Sequence, residues 1–274
     1  MRFMSIASGS SGNCIYAGNA GTDILIDVGI SAKRIEEGLN SIGRSISDMD
    51  GILITHEHSD HIASLKVISK RYHLPLYATN GTINEILNVK GMEIEPALFN
   101  EVRYDREFVL KDMIIDPIRV SHDAAEPVSY RFSANEEGVL PSDRTSGAVC
   151  TDLGVYDDYI IDRLSGVSCL LLEANHDVKM LEAGSYPYYL KRRILSEKGH
   201  LSNDSAGELL SRLMEKGTLK QVLLGHLSRE NNYAALAFET VRMQLNMLFG
   251  NYEETGMVLG IAPRDIPGKA VLDL

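Results

Sequence analysis

Three histidines and an aspartate stand within six residues, His56-Glu57-His58-Ser59-Asp60-His61. Imidazole is the commonest protein ligand for zinc-like ions, and carboxylate completes a mixed donor set. The chain holds only 8 histidines in 274 residues. Such a cluster arises by chance in a chain of this length with a probability of order a few in ten thousand. Metal binding therefore explains the segment better than a solvated polar loop does. His56 and His58, two apart at a strand end, can converge on one ion, and Asp60 and His61, at the start of the following helix, can address a second. Further ligand types recur in the same setting. Pro117–Val120 runs into Ser121-His122-Asp123, Ala148–Thr151 runs into Asp152-Leu153-Gly154, and Val222–Gly225 runs into His226-Leu227-Ser228. Each potential ligand follows an apolar run and precedes a polar turn, and in α/β proteins the carboxyl ends of strands are where sites form.

The elements that must position these residues are legible as alternating strand-length and helix-length patterns. Strands are predicted at Ser5–Ile6 with Asn13–Ala17, then at Asp23–Val28, Gly51–Thr55, Leu76–Ala78, Met113–Val120, Val128–Ser133, Ala148–Thr151, Val167–Ala174, Gln221–Leu224 and Met257–Ile261. Helices are predicted at Ala32–Ile42, Ile62–Tyr72, Thr82–Val89, Asp204–Lys216 and Tyr233–Leu248. Ser31 is a suitable N-cap for the first of these, which carries Ile35, Leu39 and Ile42 on one face. The pattern is α/β, and two sheets packed face to face with helices outside, an αββα sandwich, would accommodate it. No repeat, low-complexity tract or linker divides residues 1–274, so one domain is expected.

Net charge is −11, from 38 acidic and 27 basic residues. That weighs against a protein whose whole surface grips nucleic acid, though a local groove is compatible with it. Two divalent cations against two carboxylates and a hydroxide would leave the centre itself slightly positive, suited to an anionic substrate. Cys14, Cys150 and Cys169 are sparse and scattered and include no CxxC pair, as in a reducing compartment. No apolar run is long enough to span a membrane, and the N-terminus turns polar too early for a secretory signal. A cytoplasmic protein is expected.

The order HxHxDH, His, Asp, His resembles the metallo-β-lactamase superfamily over nearly the whole chain, implying an αββα fold with two mixed sheets and helices on their outer faces. It implies two divalent ions, Zn or Mn, one held by His56, His58 and His122 and the other by Asp60, His61 and His226, with Asp152 bridging. Ser8-Gly9-Ser10-Ser11-Gly12-Asn13-Cys14 and the wording around His56–His61 are similar to the bacterial YycJ/WalJ family. So are Leu172-Glu173-Ala174-Asn175-His176, Gly199-His200-Leu201-Ser202-Asn203 and Leu224-Gly225-His226-Leu227-Ser228. These last three blocks also resemble the tail of tRNase Z, which however has a histidine where this chain has Leu172. The YycJ/WalJ resemblance implies a nuclease, a 5′-to-3′ DNA exonuclease, with DNA favoured over RNA as partner. Catalysis would rest on a hydroxide held between the cations, with Asp60 orienting it. His200 is the expected proton donor to the leaving oxygen, with His176 as another candidate. Ser11, Asn13, His176, Ser202 and Asn203 are expected at the substrate, the serine and asparagine at 202–203 doubling as helix caps. Lys191-Arg192-Arg193 and Lys198 form the densest basic cluster, available to phosphates. The competing readings are a glyoxalase-like ester or thioester hydrolase, an RNA-processing nuclease, and a non-catalytic metal-binding module.

Overall fold

Runs of apolar residues with almost no exposed position build the inner strands. In the computed structural model, which describes residues 1–136, 138–140, 144–217, 219–265 and 272–273, the chain forms two compact units. One comprises Met1–Arg119, Ala124–Thr145 and Pro263–Leu274; the other comprises Val120–Asp123 and Ser146–Ala262.

The first unit holds a sheet in the order β14-β1-β2-β3-β4-β5-β6. Its strands are β1 (Arg2–Ala7), β2 (Cys14–Gly18), β3 (Asp23–Ile26), β4 (Gly51–Leu53), β5 (Leu76–Thr79), β6 (Phe99–Val102) and β14 (Leu272–Asp273). The β1–β2–β3 meander is antiparallel and β3 through β6 run parallel. Helices α1 (Ala32–Asn40), α3 (Leu65–Tyr72) and α4 (Asn80–Asn88) lay Ile35, Leu39, Leu65, Ile68 and Ile86 into one core with Leu25, Ile52 and Leu76 of the strands. Each such side chain, fully buried, contributes about 1.5–3 kcal/mol. Ser31 caps α1 as expected, its Oγ accepting from Arg34 N at 3.4 Å. An antiparallel ladder of β7 (Phe108–Leu110), β8 (Met113–Arg119) and β9 (Val128–Ala134) completes this unit.

One expected helix is two. The apolar period suggested a continuous Ile62–Tyr72, but a single turn, α2 (Ser59–Ile62), precedes α3, with a break at Ala63-Ser64. The break has a local cause. Ser64 N donates to Val28 O at 3.0 Å and Ser64 Oγ donates to Ile30 O at 2.5 Å, so the turn is tied to the loop after β3 instead of to the preceding helix. Asp60 and His61 therefore sit on a turn of their own.

The second unit is built on four parallel strands in the order β10 (Ser146–Cys150), β11 (Cys169–Glu173), β12 (Gln221–Gly225) and β13 (Val258–Ile261). Helix α8 (Asn203–Met214) buries Leu209, Leu210 and Leu213, and α9 (Ala234–Phe249) buries Ala237, Val241 and Leu245. The short helices α5 (Asp158–Leu164), α6 (Val178–Ala183) and α7 (Tyr188–Ile194) lie between strands. Because β10, β11 and β12 are parallel and in register, their carboxyl ends deliver Asp152, Glu173 and His226 to one edge. No helix among the described residues is long and apolar enough to cross a membrane.

Candidate metal centre

Three residues that follow strand ends adopt left-handed backbone: Asp27 (φ 59°), Asp152 (φ 58°) and His226 (φ 54°). That region is costly for non-glycine residues and persists where surrounding contacts fix it. Here it turns the chain sharply at the sheet edge and leaves the side chain in the protein.

In the first unit His56, His58, Asp60 and His61 stand together. The His56 ring centroid is 4.6 Å from that of His58 and 4.1 Å from that of His61. Buried Asp27 organises them. Its Oδ1 accepts from Thr55 N at 2.9 Å, and its Oδ2 accepts from Thr55 Oγ1 at 2.8 Å and from His61 Nδ1 at 2.7 Å. With its own proton on Asp27, the Thr55 hydroxyl is an acceptor for His56 Nδ1 at 3.0 Å. Asn13, fully buried, reaches His61 Nε2 at 3.1 Å through Nδ2 and accepts from Gly9 N at 3.0 Å through Oδ1. Its amide thus locks the Gly9–Asn13 loop to His61, whereas Ser11 is exposed at the loop tip. Gly29 is required nearby, since a Cβ there would lie 1.6 Å from Asp60 O.

In the second unit Asp152, Glu173, His200 and His226 each offer a ligand atom within 4.8 Å of one another. Glu173 is 0% exposed. Its Oε1 accepts from His226 Nδ1 at 2.7 Å and His200 Nδ1 at 2.8 Å, and its Oε2 accepts from Leu153 N and Leu201 N, both at 3.0 Å. Burial works against this carboxylate, but the two imidazoles outweigh it and hold its pKa below the ordinary value. His122 Nδ1 is held by Gly199 O at 3.0 Å. Burial lowers the His122 pKa, and it also lowers that of His176, to about 4. For His200 burial again opposes the charge, but Glu173 and then Asp152 prevail, and its pKa is raised.

These contacts test whether the donor set suits a cation. His56, His61, His122 and His226 each place Nδ1 on an oxygen acceptor, which assigns the proton there and makes Nε2 the basic nitrogen. That is the tautomer of a metal-ligating histidine backed by a second partner. The Nε2 atoms of His122 and His226 lie 3.7 and 3.6 Å from Asp152 Oδ1. Lone pairs facing a carboxylate repel unless a cation joins them, so the donors fit a divalent metal.

Ser202 is the N-cap of α8, its Oγ accepting from Ser205 N at 3.1 Å, and fully buried Asn203 donates through Nδ2 to Asn232 Oδ1 at 3.1 Å. His176 is 1% exposed and bridges to Ser202 by backbone, with neither ring nitrogen hydrogen-bonded among the described residues. Asp27 and the dual role of Glu173 were missed from the sequence. An acidic residue closing the apolar run Ile24–Ile26 was the signal available for the first.

Fold and donor chemistry together define a protein of the metallo-β-lactamase class, a metal-dependent hydrolase scaffold with two mixed sheets and helices. Residues 22–226 match the family model described as "Beta-lactamase superfamily domain", and the chain belongs to that family. It is 39% identical over 249 residues to the exodeoxyribonuclease WalJ of Streptococcus pneumoniae serotype 2, covering 89% of this chain and 88% of that one. It is 35% identical over 270 residues to the exodeoxyribonuclease YycJ of Bacillus anthracis, covering 96% and 93%. Among solved structures, zinc-bound PqqB from Methylobacterium extorquens superposes with a TM-score of 0.70 at 15% identity over the whole of both chains. YhfI from Bacillus subtilis superposes at 0.66 with 14% identity, covering 98% and 99%. The expected fold class and family are thereby borne out.

Proposed function

We propose that this chain is a cytoplasmic, divalent-metal-dependent phosphodiesterase that shortens DNA from its 5′ end. The observation that carries the proposal is the near-full-length similarity to two exodeoxyribonucleases. The buried carboxylate–histidine pairs, which suit a hydrolytic metal centre, support it. His56, His58, Asp60 and His61 from one stretch and His122, Asp152 and His226 from the other are the proposed ligands of two ions, zinc or manganese. Such ions, when bound, supply Lewis acidity and a nucleophile at neutral pH.

The chain's own residues do the rest. Asp27 and Glu173 fix the ring orientation and tautomer of His61 and His226. His200 keeps its Nδ1 proton on Glu173, so Nε2 is the atom that delivers a proton to the departing sugar oxygen. Glu173, and after it Asp152, raise the His200 pKa against burial, which favours the protonated ring. Glu173 pairs with His200 although the residue before it is Leu172, so the loss of a histidine there does not deprive the glutamate of an imidazole partner. Ser11 remains a substrate-facing candidate, while Asn13, Ser202 and Asn203 hold the loops that carry the site.

Metal-loaded protein given 5′- and 3′-labelled DNA and RNA beside a thioester tests the reading. Progressive release of nucleotides from the DNA 5′ end, abolished by chelation and by Asp60→Ala, is expected. Turnover of the thioester alone would overturn it.

A further inference from the structure

Helix α7 is an odd element for a protein to keep. Only Ile194 of its seven residues is buried, and Tyr188 and Tyr189 stand 76% and 74% exposed on its first turn. A helix this short is marginal alone. Polar tethers hold it instead. Lys191 Nζ donates to Glu182 O at 2.7 Å and to Gly184 O at 2.6 Å. Arg193 pairs with Asp123, the neighbour of His122, with one contact at 3.0 Å. At its C-terminal end His200 N donates to Ile194 O at 3.0 Å, and Gly199 N to Ser196 O at 2.8 Å. The helix is therefore a rigid extension of the turn that carries His200, whose side chain is 15% exposed.

The exposed surface of residues 188–198 is aromatic and cationic. Arg192 lies over the Tyr188 ring, 6.0 Å from the centroid, and Lys198 is exposed further along. Residues 188–198 carry four basic side chains against one acidic, Glu197, in a chain whose net charge is −11. Exposed aromatic rings beside arginine and lysine are what an unpaired nucleic-acid strand needs: ring faces for bases and cations for phosphates. A peptide partner would be served by the rings but would not call for the local reversal of charge.

We propose that Tyr188 and Tyr189 form a base-stacking platform, flanked by Arg192 and Lys198, that holds the unpaired strand of the DNA substrate leading to His200. This deepens the phosphodiesterase reading and rests on it. At 1.5 Å per residue α7 extends about 10 Å from the His200 turn, roughly three stacked nucleotides at about 3.4 Å each. The platform therefore acts on oligonucleotides longer than the scissile pair.

The test uses the metal-loaded protein and fluorescent single-stranded oligothymidylates of two to eight nucleotides with hydrolysis-resistant phosphorothioate linkages. Tyr188→Ala/Tyr189→Ala is expected to weaken octamer binding about 30-fold or more, at about 5-fold or more for each ring removed, with a penalty that grows with length and an unchanged salt slope. Tyr188→Phe/Tyr189→Phe should restore the affinity, because the ring and not the hydroxyl is used. Arg192→Ala/Lys198→Ala should flatten the slope of log Kd against log salt by about 1.4, at about 0.7 per phosphate contact. An alanine pair that binds the octamer as the parent does, while the parent degrades DNA, overturns the platform alone. A parent that neither binds nor degrades DNA overturns the platform together with the function on which it rests.

Discussion

Replacing Glu173 by glutamine keeps the shape of the side chain and removes its charge, which isolates what the buried carboxylate does. Four donors converge on it: two imidazole Nδ1 atoms at 2.7 and 2.8 Å on Oε1, and two backbone N–H groups at 3.0 Å on Oε2. An amide offers one acceptor oxygen, so with both imidazole protons kept on Nδ1 its NH2 must face two of those donors whichever way it is turned. Two stranded buried donors cost about 1–3 kcal/mol each, or about 2–6 kcal/mol together. That is a large share of the about 5–15 kcal/mol that holds a domain folded. At about 2–4 °C per kcal/mol for a protein of this size, the melting midpoint should fall by about 4–24 °C. Urea unfolding of chelator-treated parent and Glu173→Gln protein, fitted with a common slope, measures the difference. NMR titration should at the same time show the His200 pKa falling, since burial is then opposed by Asp152 without Glu173. A variant within about 0.5 kcal/mol of the parent, the scale of an ordinary surface substitution, would refute the convergence of donors on this group.

Asp27→Asn should leave the fold intact but reduce metal affinity about 10- to 100-fold, read by competition with a chromophoric chelator, because His61 loses the anion that fixes its tautomer. Gly29→Ala should fail to accumulate as folded protein or melt far below the parent in a thermal scan, since no rotamer change relieves a Cβ placed 1.6 Å from Asp60 O. His176, held neutral by burial down to about pH 4, takes up a proton at about pH 6.5 in the unfolded chain. Its contribution is thus present above about pH 6.5 and lost as pH falls towards 4, by about 3 kcal/mol at about 1.4 kcal/mol per unit. Urea midpoints of His176→Asn should be flatter than the parent's across that window; parallel curves would contradict the assignment.

The sequence located the elements where side-chain period was strong. Strands β8, β9 and β12 and helices α1, α8 and α9 lie within a few residues of expectation. The short helices α5, α6 and α7 escaped because six or seven residues cannot display a 3.6-residue period. Edge strands β6 and β7 escaped because their exposed positions break the apolar run. The division of Ile62–Tyr72 into two helices depended on Ser64 bonding to Val28 and Ile30, 34 to 36 residues earlier.

For the site, the sequence by itself determined the donor types and their attachment to strand ends, since His56-Glu57-His58-Ser59-Asp60-His61 is a local signal and each other ligand follows its own apolar run. Only the tertiary structure decided which carboxylates stand behind the imidazoles. Asp27 meets His61 across 34 residues, and Glu173 meets His200 and His226 across 27 and 53. Sequence spacing carries no information about such encounters. Within each unit they follow from parallel register, β3 beside β4 in the first and β10 to β12 in the second, and from left-handed turns at strand ends, where distant residues are brought together and deprived of water.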